Sequence, residues 1–395
     1  MEFHFAKRTD LLRASEIREI LKITEREEVI SFAGGLPAPE LFPIEEMKEV
    51  SVKVLETEGK KALQYSTTEG YEPLRQQIAA RMKQNFRTNF EANEVLITSG
   101  SQQALDLLGK LFIDEDDVIL CESPTYLAAI SVFRSYRPRF IEVPTDEGGM
   151  IIEELEKILQ TTRKIKLIYV IPDFQNPTGK TWPIERRQEF MKLVQKYKVP
   201  VIEDNPYGEL RFENEMLPSL QSMDDKGLVI CLGTFSKTFC PGMRIGWLAA
   251  DGRVIAKCVL LKQGADLCTS LKTQMEISYY IAHYDFEANI QKIIKVYRGR
   301  RNAMVKALAE TLPTGVTCTQ PQGGLFLWLE LPKQLKAVEL LKECLLQDVA
   351  FVPGDSFFPN GGVTNTLRLN YSNMPEDKIR EGVRRLSYAI RKSMG

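Results

Sequence analysis

The chain has 395 residues, with 52 Lys and Arg against 53 Asp and Glu for a formal net charge of −1, and its two histidines are His4 and His283. That length holds roughly two or three domains with large cores, and the balanced charge argues against a phosphate-tracking nucleic-acid binder or a polybasic membrane-surface protein. Two histidines so far apart cannot build a His-rich metal site, so no metal is expected, and Ser–His–Asp or Cys–His chemistry would need one of them.

Taken in chain order, the start MEFHFAKRTDLLRASEIREI lacks a basic region followed by an apolar one, so no secretory signal is expected. Ile17, Ile20, Leu21 and Ile23 are spaced for a short amphipathic helix over Ser15–Glu28. The stretch ISFAGGLPAPELFP, residues 30–43, reads as an ordered irregular loop because of its Gly and Pro. Glu45–Leu55 reads as a helix. From Asn93 onward short apolar runs recur: Val95–Thr98, then a Ser/Gly turn and a helix through Leu111, then Val118–Cys121, Phe140–Val143, Leu167–Ile171, Val199–Glu203, Leu228–Leu232 and Arg244–Ala249. Helical stretches such as Ile151–Leu159 and Ile184–Tyr197 separate several of them. Buried strands alternating with helices predict an α/β layer with a mostly parallel sheet covered on both faces. The alternation loosens near residue 280, where a long helix at Ala288–Leu308, the run LFLWLEL, a helix at Leu335–Leu346 and TLRLNYS predict a smaller α+β domain. Seven cysteines occur without CxxC pairs; Cys121, Cys231, Cys258, Cys268 and Cys344 lie in apolar or helical surroundings and read as buried free thiols of a reducing compartment. No apolar run approaches the roughly 18 residues needed to span a bilayer. A soluble, cytoplasmic protein is therefore expected.

Four clusters carry chemistry. In GTFSKTFCPGMRIGW, residues 233–247, Lys237 lies between Ser236 and a Pro-Gly turn, with Arg244 seven residues on. A lysine in a rigid, partly desolvated turn loses proton affinity and can form an imine with a carbonyl, and an arginine in that turn offers planar donors suited to a phosphate. In TSGSQQAL, residues 98–105, Gly100 permits a tight turn, and the free amides of Ser101 and Gln102 open a helix whose dipole favours an anion. The pattern is neither GxGxxG nor GxxxxGK[ST], so dinucleotide and nucleoside triphosphate readings lack a motif. In IEDNPYGEL, residues 202–210, Asp204 ends a strand where open α/β sheets place ligands. It either closes an Asx turn or meets a cation such as a protonated ring nitrogen, with the Tyr207 phenol nearby. In YVIPDFQNPTGKTW, residues 169–182, Asn176 again follows a strand, and Tyr126 in ESPTYLAA holds the equivalent place after another. Read alone, Asn-Pro is ordinary turn chemistry and Tyr126 a core aromatic.

Together these groups offer what pyridoxal 5′-phosphate requires. From about Ser15 to the C-terminus the chain resembles the fold-type I aminotransferases of class I/II, and among them most resembles the 2-aminoadipate (kynurenine/α-aminoadipate) aminotransferases. The stretches that carry the resemblance are SFAGGLPAPELFP, ALQYSTTEGYEPLR, TSGSQQALDL, QNPTG, EDNPY, FSKTFCPGMRIGW and TLRLNYS. The resemblance implies an N-terminal segment over residues 1–45 that joins the small domain, a large cofactor-binding domain over 46–280 and a small domain over 281–395. It implies that Lys237 bonds the cofactor, Asp204 pairs with its ring nitrogen, Asn176 and Tyr207 meet its ring hydroxyl, and Tyr126 stacks on the ring. Gly100, Ser101, Gln102, Ser236 and Arg244 would hold the phosphate. Tyr65, in LQYS, would reach the phosphate in the partner subunit of a homodimer. Arg368 would clamp the substrate α-carboxylate, Asn176 and Gly35 would line the substrate, and Arg18 would meet its side chain. Read without the resemblance, Thr366, Arg368 and Asn370 are one polar strand face and Arg18 is a charge on an amphipathic helix. One departure is Asn205, where relatives often carry a second Asp.

The implied reaction has two halves. An L-amino acid (2-aminoadipate, glutamate, branched-chain or aromatic) leaves its amino group on the cofactor, and a 2-oxo acid such as 2-oxoglutarate takes it up. Lys237, rather than a histidine, moves the proton from the substrate Cα. A pyridoxal-phosphate-dependent lyase or decarboxylase on the same fold is the alternative, and it need not keep an Arg368-type clamp. A DNA-binding regulator would need a further N-terminal domain, whereas the resemblance already begins near Ser15. A nicotinamide dehydrogenase would need the glycine fingerprint.

Overall fold

The computed structural model describes residues 3–10 and 28–394. The helix expected over 15–28 lies, apart from Glu28, outside the described residues, as does Arg18.

The stretch 30–43 is not wholly irregular: Ile30–Ser31 forms a strand, β1, and Pro39–Leu41 a single 3-10 turn. The amides of Ile30 and Phe32 find carbonyl acceptors on Asp348 and Ala350, far along the chain, which a local reading of Gly and Pro does not anticipate. Helix α1 (Ile44–Ala62) extends the expected one, and α2 (Glu72–Phe86) follows with Pro73 in its first turn, where the missing N–H costs nothing.

The alternating region runs β2 (Val95–Thr98), α3 (Ser101–Phe112), β3 (Val118–Ser123), α4 (Leu127–Arg134), β4 (Arg139–Asp146), β5 (Gly149–Met150), α5 (Ile152–Thr161), β6 (Ile165–Val170), α6 (Ile184–Tyr197), β7 (Val201–Asp204), β8 (Val229–Thr234) and β9 (Gly246–Ala249). These strands form one sheet of eight in the order β2-β9-β8-β7-β6-β3-β4-β5. Strands β2, β3, β6, β7 and β8 share one direction; β9 runs against both its neighbours, and β5 against β4. Every residue of β2, β7 and β8 is buried, as expected of strands covered on both faces. The strand expected over Arg244–Ala249 begins only at Gly246, because Arg244 adopts a left-handed φ of 55° that turns the chain into the reversed strand.

After α7 (Gly252–Gln263), α8 (Leu271–His283) and α9 (Phe286–Thr311) comes a smaller domain. It contains β10 (Thr317–Cys318), β11 (Phe326–Glu330), α10 (Ala337–Leu345), β12 (Val349–Ala350), β13 (Val352–Pro353), β14 (Thr366–Asn370) and α11 (Glu376–Met394). Four of its strands make an antiparallel sheet in the order β10-β11-β14-β13, and β12 pairs in parallel with β1. All seven cysteines are free; Cys121, Cys231, Cys258 and Cys344 are buried, whereas Cys268 is only half-buried, in the turn after α7. Among the described residues no helix is long and apolar enough to cross a membrane.

Candidate active site

Because β2, β3, β6, β7 and β8 point the same way, the turns that follow them meet at one edge of the sheet, and the reversal of β9 brings the residues ahead of it to that edge too. Gly100 follows β2 with φ 78° and precedes the first turn of α3. A Cβ on Gly100 would lie 2.4 Å from Nη2 of Arg244, and one on Gly246 would lie 2.6 Å from the Ser101 amide nitrogen, so two glycines keep this corner open to the helix start. Arg244 Nη1 donates to the Pro241 carbonyl at 3.2 Å and reaches Ser236 Oγ at 3.5 Å. Ser236 Oγ also accepts from Thr234 Oγ1 at 2.9 Å. A guanidinium, a hydroxyl and the unpaired amides of a helix start thus surround one point, an arrangement built for a phosphate.

Behind this corner lies a brace that no motif announces. The Lys262 side chain is fully buried, and its Nζ donates to Asp266 at 2.7 Å and to Gln103 Oε1 at 2.9 Å. Gln103 Oε1 also accepts from the Ser99 amide at 2.8 Å, tying the turn to the ion pair.

Lys237, three residues past β8, extends its Nζ to the Gly35 carbonyl at 2.9 Å. Burial pushes its amine down to about 8, and the nearby guanidinium groups of Arg368 and Arg244 push it the same way. Asp204, the last residue of β7, is buried; its Oδ2 accepts from the Tyr169 hydroxyl at 2.7 Å, while Oδ1 is buried with no partner. Burial raises its carboxyl to about 6 and the Tyr169 hydrogen bond opposes that rise. Asp204 therefore closes no Asx turn; its neighbour Asn205 braces the turn instead, its Oδ1 accepting from the Gly208 amide three residues on at 2.8 Å.

Asn176, beyond β6, joins two groups. Its Nδ2 approaches the Tyr207 hydroxyl at 3.4 Å, and its Oδ1 accepts from Arg368 Nη1 at 2.8 Å. Arg368, on β14, also donates through Nη2 to the Ala33 carbonyl at 2.8 Å, and its buried Nε has no partner. The guanidinium lies 4.1 Å from the centre of the Phe326 ring and 5.2 Å from that of Phe357. Burial lowers it to about 10. Tyr126, the residue before α4, faces the same space: burial raises its phenol to about 12, with Asp204 adding to the rise and Arg368 and Arg244 opposing it.

The structure therefore gathers Gly35, Gly100, Ser101, Tyr126, Asn176, Asp204, Tyr207, Ser236, Lys237, Arg244 and Arg368 along one sheet edge. The Gln102 side chain instead faces solvent. Tyr65 is 78% exposed and its ring joins no group of this cluster. Sequence reasoning missed Tyr169, Phe326, Phe357 and the Lys262 brace, which act through neighbours brought close only by folding. Of these Tyr169 alone left a trace, a polar ring inside the otherwise aliphatic run Leu167–Ile171.

The family model described as aminotransferase class I and II matches residues 27–386. The aromatic-amino-acid aminotransferase 1 of Thermococcus litoralis is 45% identical, over 100% of this chain and 95% of its own length. The solved structure of Pyrococcus horikoshii kynurenine aminotransferase, in complex with PMP and with KYN and KYA as substrates and products, superposes with a TM-score of 0.95 at 41% identity, covering 99% of this chain and 98% of that one. That of LysN, the α-aminoadipate aminotransferase of Thermus thermophilus complexed with N-(5′-phosphopyridoxyl)-L-leucine, gives 0.93 at 43% identity, with 99% and 98% covered.

Proposed function

Because the chain belongs to the class I and II aminotransferases, enzymes that move amino groups between amino acids and 2-oxo acids with pyridoxal 5′-phosphate, we propose that the gathered side chains divide that chemistry as follows. The observation that carries the assignment is the pairing of a partly buried Lys237 of lowered proton affinity with a buried Asp204 whose Oδ1 lacks a partner. A carboxylate oxygen left bare at such depth calls for a cation, and the protonated ring nitrogen of the cofactor is one. The open corner at Gly100, flanked by Arg244 and Ser236, fits its phosphate, and Ser101 and Gln102 contribute amides there.

Bound at this edge, pyridoxal 5′-phosphate supplies an electrophilic carbon for the amino group and a cationic ring that draws electrons from the substrate Cα. Lys237 would hold that carbon and would carry the Cα proton; an amine lowered to about 8 is free of its own proton about a tenth of the time at pH 7 and about half the time at pH 8, far more than an ordinary lysine. Asn176 and Tyr207 would meet the ring hydroxyl, and Tyr126 would stack on the ring. Arg368 meets the substrate α-carboxylate with its planar donors, already aimed by Asn176, Phe326 and Phe357. The Gly35 carbonyl, beside Lys237, borders the substrate, and Arg18 contributes to side-chain choice. Asn205 serves the turn after β7 and leaves Asp204 as the one carboxylate for the ring nitrogen.

The working unit is a cytoplasmic homodimer in which Tyr65 of the partner subunit completes the phosphate site. The high exposure of Tyr65 and of its neighbour Leu63 in this chain supports that role, and seven unpaired cysteines suit a reducing compartment. Residues 1–45, 46–280 and 281–395 form the segment and two domains, a division supported by the pairing of β1 with β12 and the start of α9 at Phe286. Donors are aromatic, acidic (2-aminoadipate, glutamate) or branched-chain amino acids, and 2-oxoglutarate is an acceptor; the names of the similar enzymes support the aromatic, 2-aminoadipate and leucine members of this range. A panel of the donors other than glutamate against 2-oxoglutarate tests the reading. Glutamate formation that requires both partners is the expected result. Release of ammonia, carbon dioxide or pyruvate without any oxo acid would point instead to a lyase or decarboxylase.

A further inference from the structure

Asp204 has two carboxylate oxygens with different fates, and one residue decides which is which. Tyr169 lies on β6 and Asp204 on the adjacent parallel β7, in the core of the sheet. Its hydroxyl donates to Oδ2 at 2.7 Å and leaves Oδ1 bare. The Tyr169 ring is held in place edge-on against Phe133, 6.0 Å between centroids. We propose that Tyr169 is a positioning residue, whose hydroxyl fixes the Asp204 carboxylate in one orientation and keeps a single oxygen facing the ring nitrogen of the cofactor. The inference rests on the reading of Asp204 as the partner of that nitrogen.

The same hydrogen bond sustains the charge on Asp204. Burial alone favours the neutral acid, and Tyr169 is the group that pulls the other way, leaving the carboxyl at about 6. The other titratable groups that face Asp204 are Tyr126, ahead of α4, and Tyr207, after β7. Burial raises both phenols, so both stay neutral over the relevant pH range, and neither is hydrogen-bonded to the carboxylate. On the β8 side the register partner of Asp204 is the apolar Leu232. Tyr169 itself is held far above the ordinary phenol range by burial and by Asp204, so it remains a donor throughout.

Without the Tyr169 hydroxyl the Asp204 carboxyl of the cofactor-free site rises further, so protonation begins at a higher pH. Cofactor release is favoured wherever Asp204 can be protonated. The loss of affinity in Tyr169→Phe relative to wild type is therefore small in alkali and grows as the pH falls, approaching about tenfold for each unit by which the carboxyl rises. A general loosening of the fold would instead weaken binding by one factor at every pH.

The test dialyses wild-type and Tyr169→Phe holoenzyme against cofactor-free buffers from about pH 8.5 to about pH 5.5 and measures retained pyridoxal 5′-phosphate by absorbance after alkaline release. The expected result is a variant-to-wild-type ratio of dissociation constants that rises several-fold, toward about tenfold, across that interval. The same substitution in an Asp204→Asn background, where no carboxylate titrates, should give a flat ratio. A flat ratio in the Asp204 background, or a rising one in the Asn background, overturns the inference. Failure of the wild-type protein to retain the cofactor at any pH would instead overturn the assignment of the site.

Discussion

Arg368 carries a full charge with almost no water around it, and its neighbours explain how. Phe326 and Phe357 present ring faces to the guanidinium, while Asn176 and the Ala33 carbonyl take two of its N–H groups. A lysine there would keep the charge and lose the planar fork. Hydrogen bonds to charged groups contribute about 1.5–3 kcal/mol, so Arg368→Lys should raise KM for both amino and oxo acid by about 10- to 100-fold, with cofactor content unchanged. Steady-state kinetics with both substrates checks this, and an unaltered KM would remove Arg368 from carboxylate binding. Viewed singly in the sequence, this arginine was one member of a polar strand face; resemblance supplied its role. The residues that hold it, Phe326 and Phe357, belong to no motif and looked like ordinary core.

Strands were the most legible elements. Val95–Thr98 stands as read, and most of the other buried runs shift by one to three residues at an end, because short aliphatic segments bounded by Gly, Pro or charge leave little choice. Their order across the sheet was not legible. Placing β6 between β7 and β3, and reversing β9, depends on contacts between segments far apart in the chain. Several helices also went unread. In α2 the apolar positions Leu74, Ile78 and Met82 are diluted by polar residues, and α4 is short and largely apolar, so length and period do not separate it from a strand. Helix α11 does carry a clear stripe, Ile379, Val383, Leu386 and Ile390, set among dense charges. That Tyr126, Asn176, Asp204 and Lys237 come together was legible because each lies at or beyond the carboxyl end of a strand and these ends face one way. The Lys262 brace behind the turn at Gly100 was not, since a buried lysine looks in sequence like any surface one.

At the level of the whole molecule, the proposed phosphate site draws on two copies of the chain. Tyr65 is exposed in the single chain, on a loop whose neighbour Leu63 is also bare. If each site takes Lys237 from one subunit and Tyr65 from the other, a mixed dimer of Lys237→Ala and Tyr65→Ala chains regains one intact site. Random reassortment of equal amounts should then restore about a quarter of wild-type activity, above the sum of the parents. No gain on mixing, in samples shown to contain mixed dimers, would place Tyr65 and Lys237 in the same subunit's site or remove Tyr65 from it. Every role proposed for the site depends on Lys237 bonding the cofactor, and borohydride reduction of the holoenzyme followed by peptide mass mapping tests that bond most directly. The reduced cofactor is expected on the peptide containing Lys237 and on no other. Its recovery on a different lysine, with Lys237 unmodified, would remove Lys237 from the chemistry.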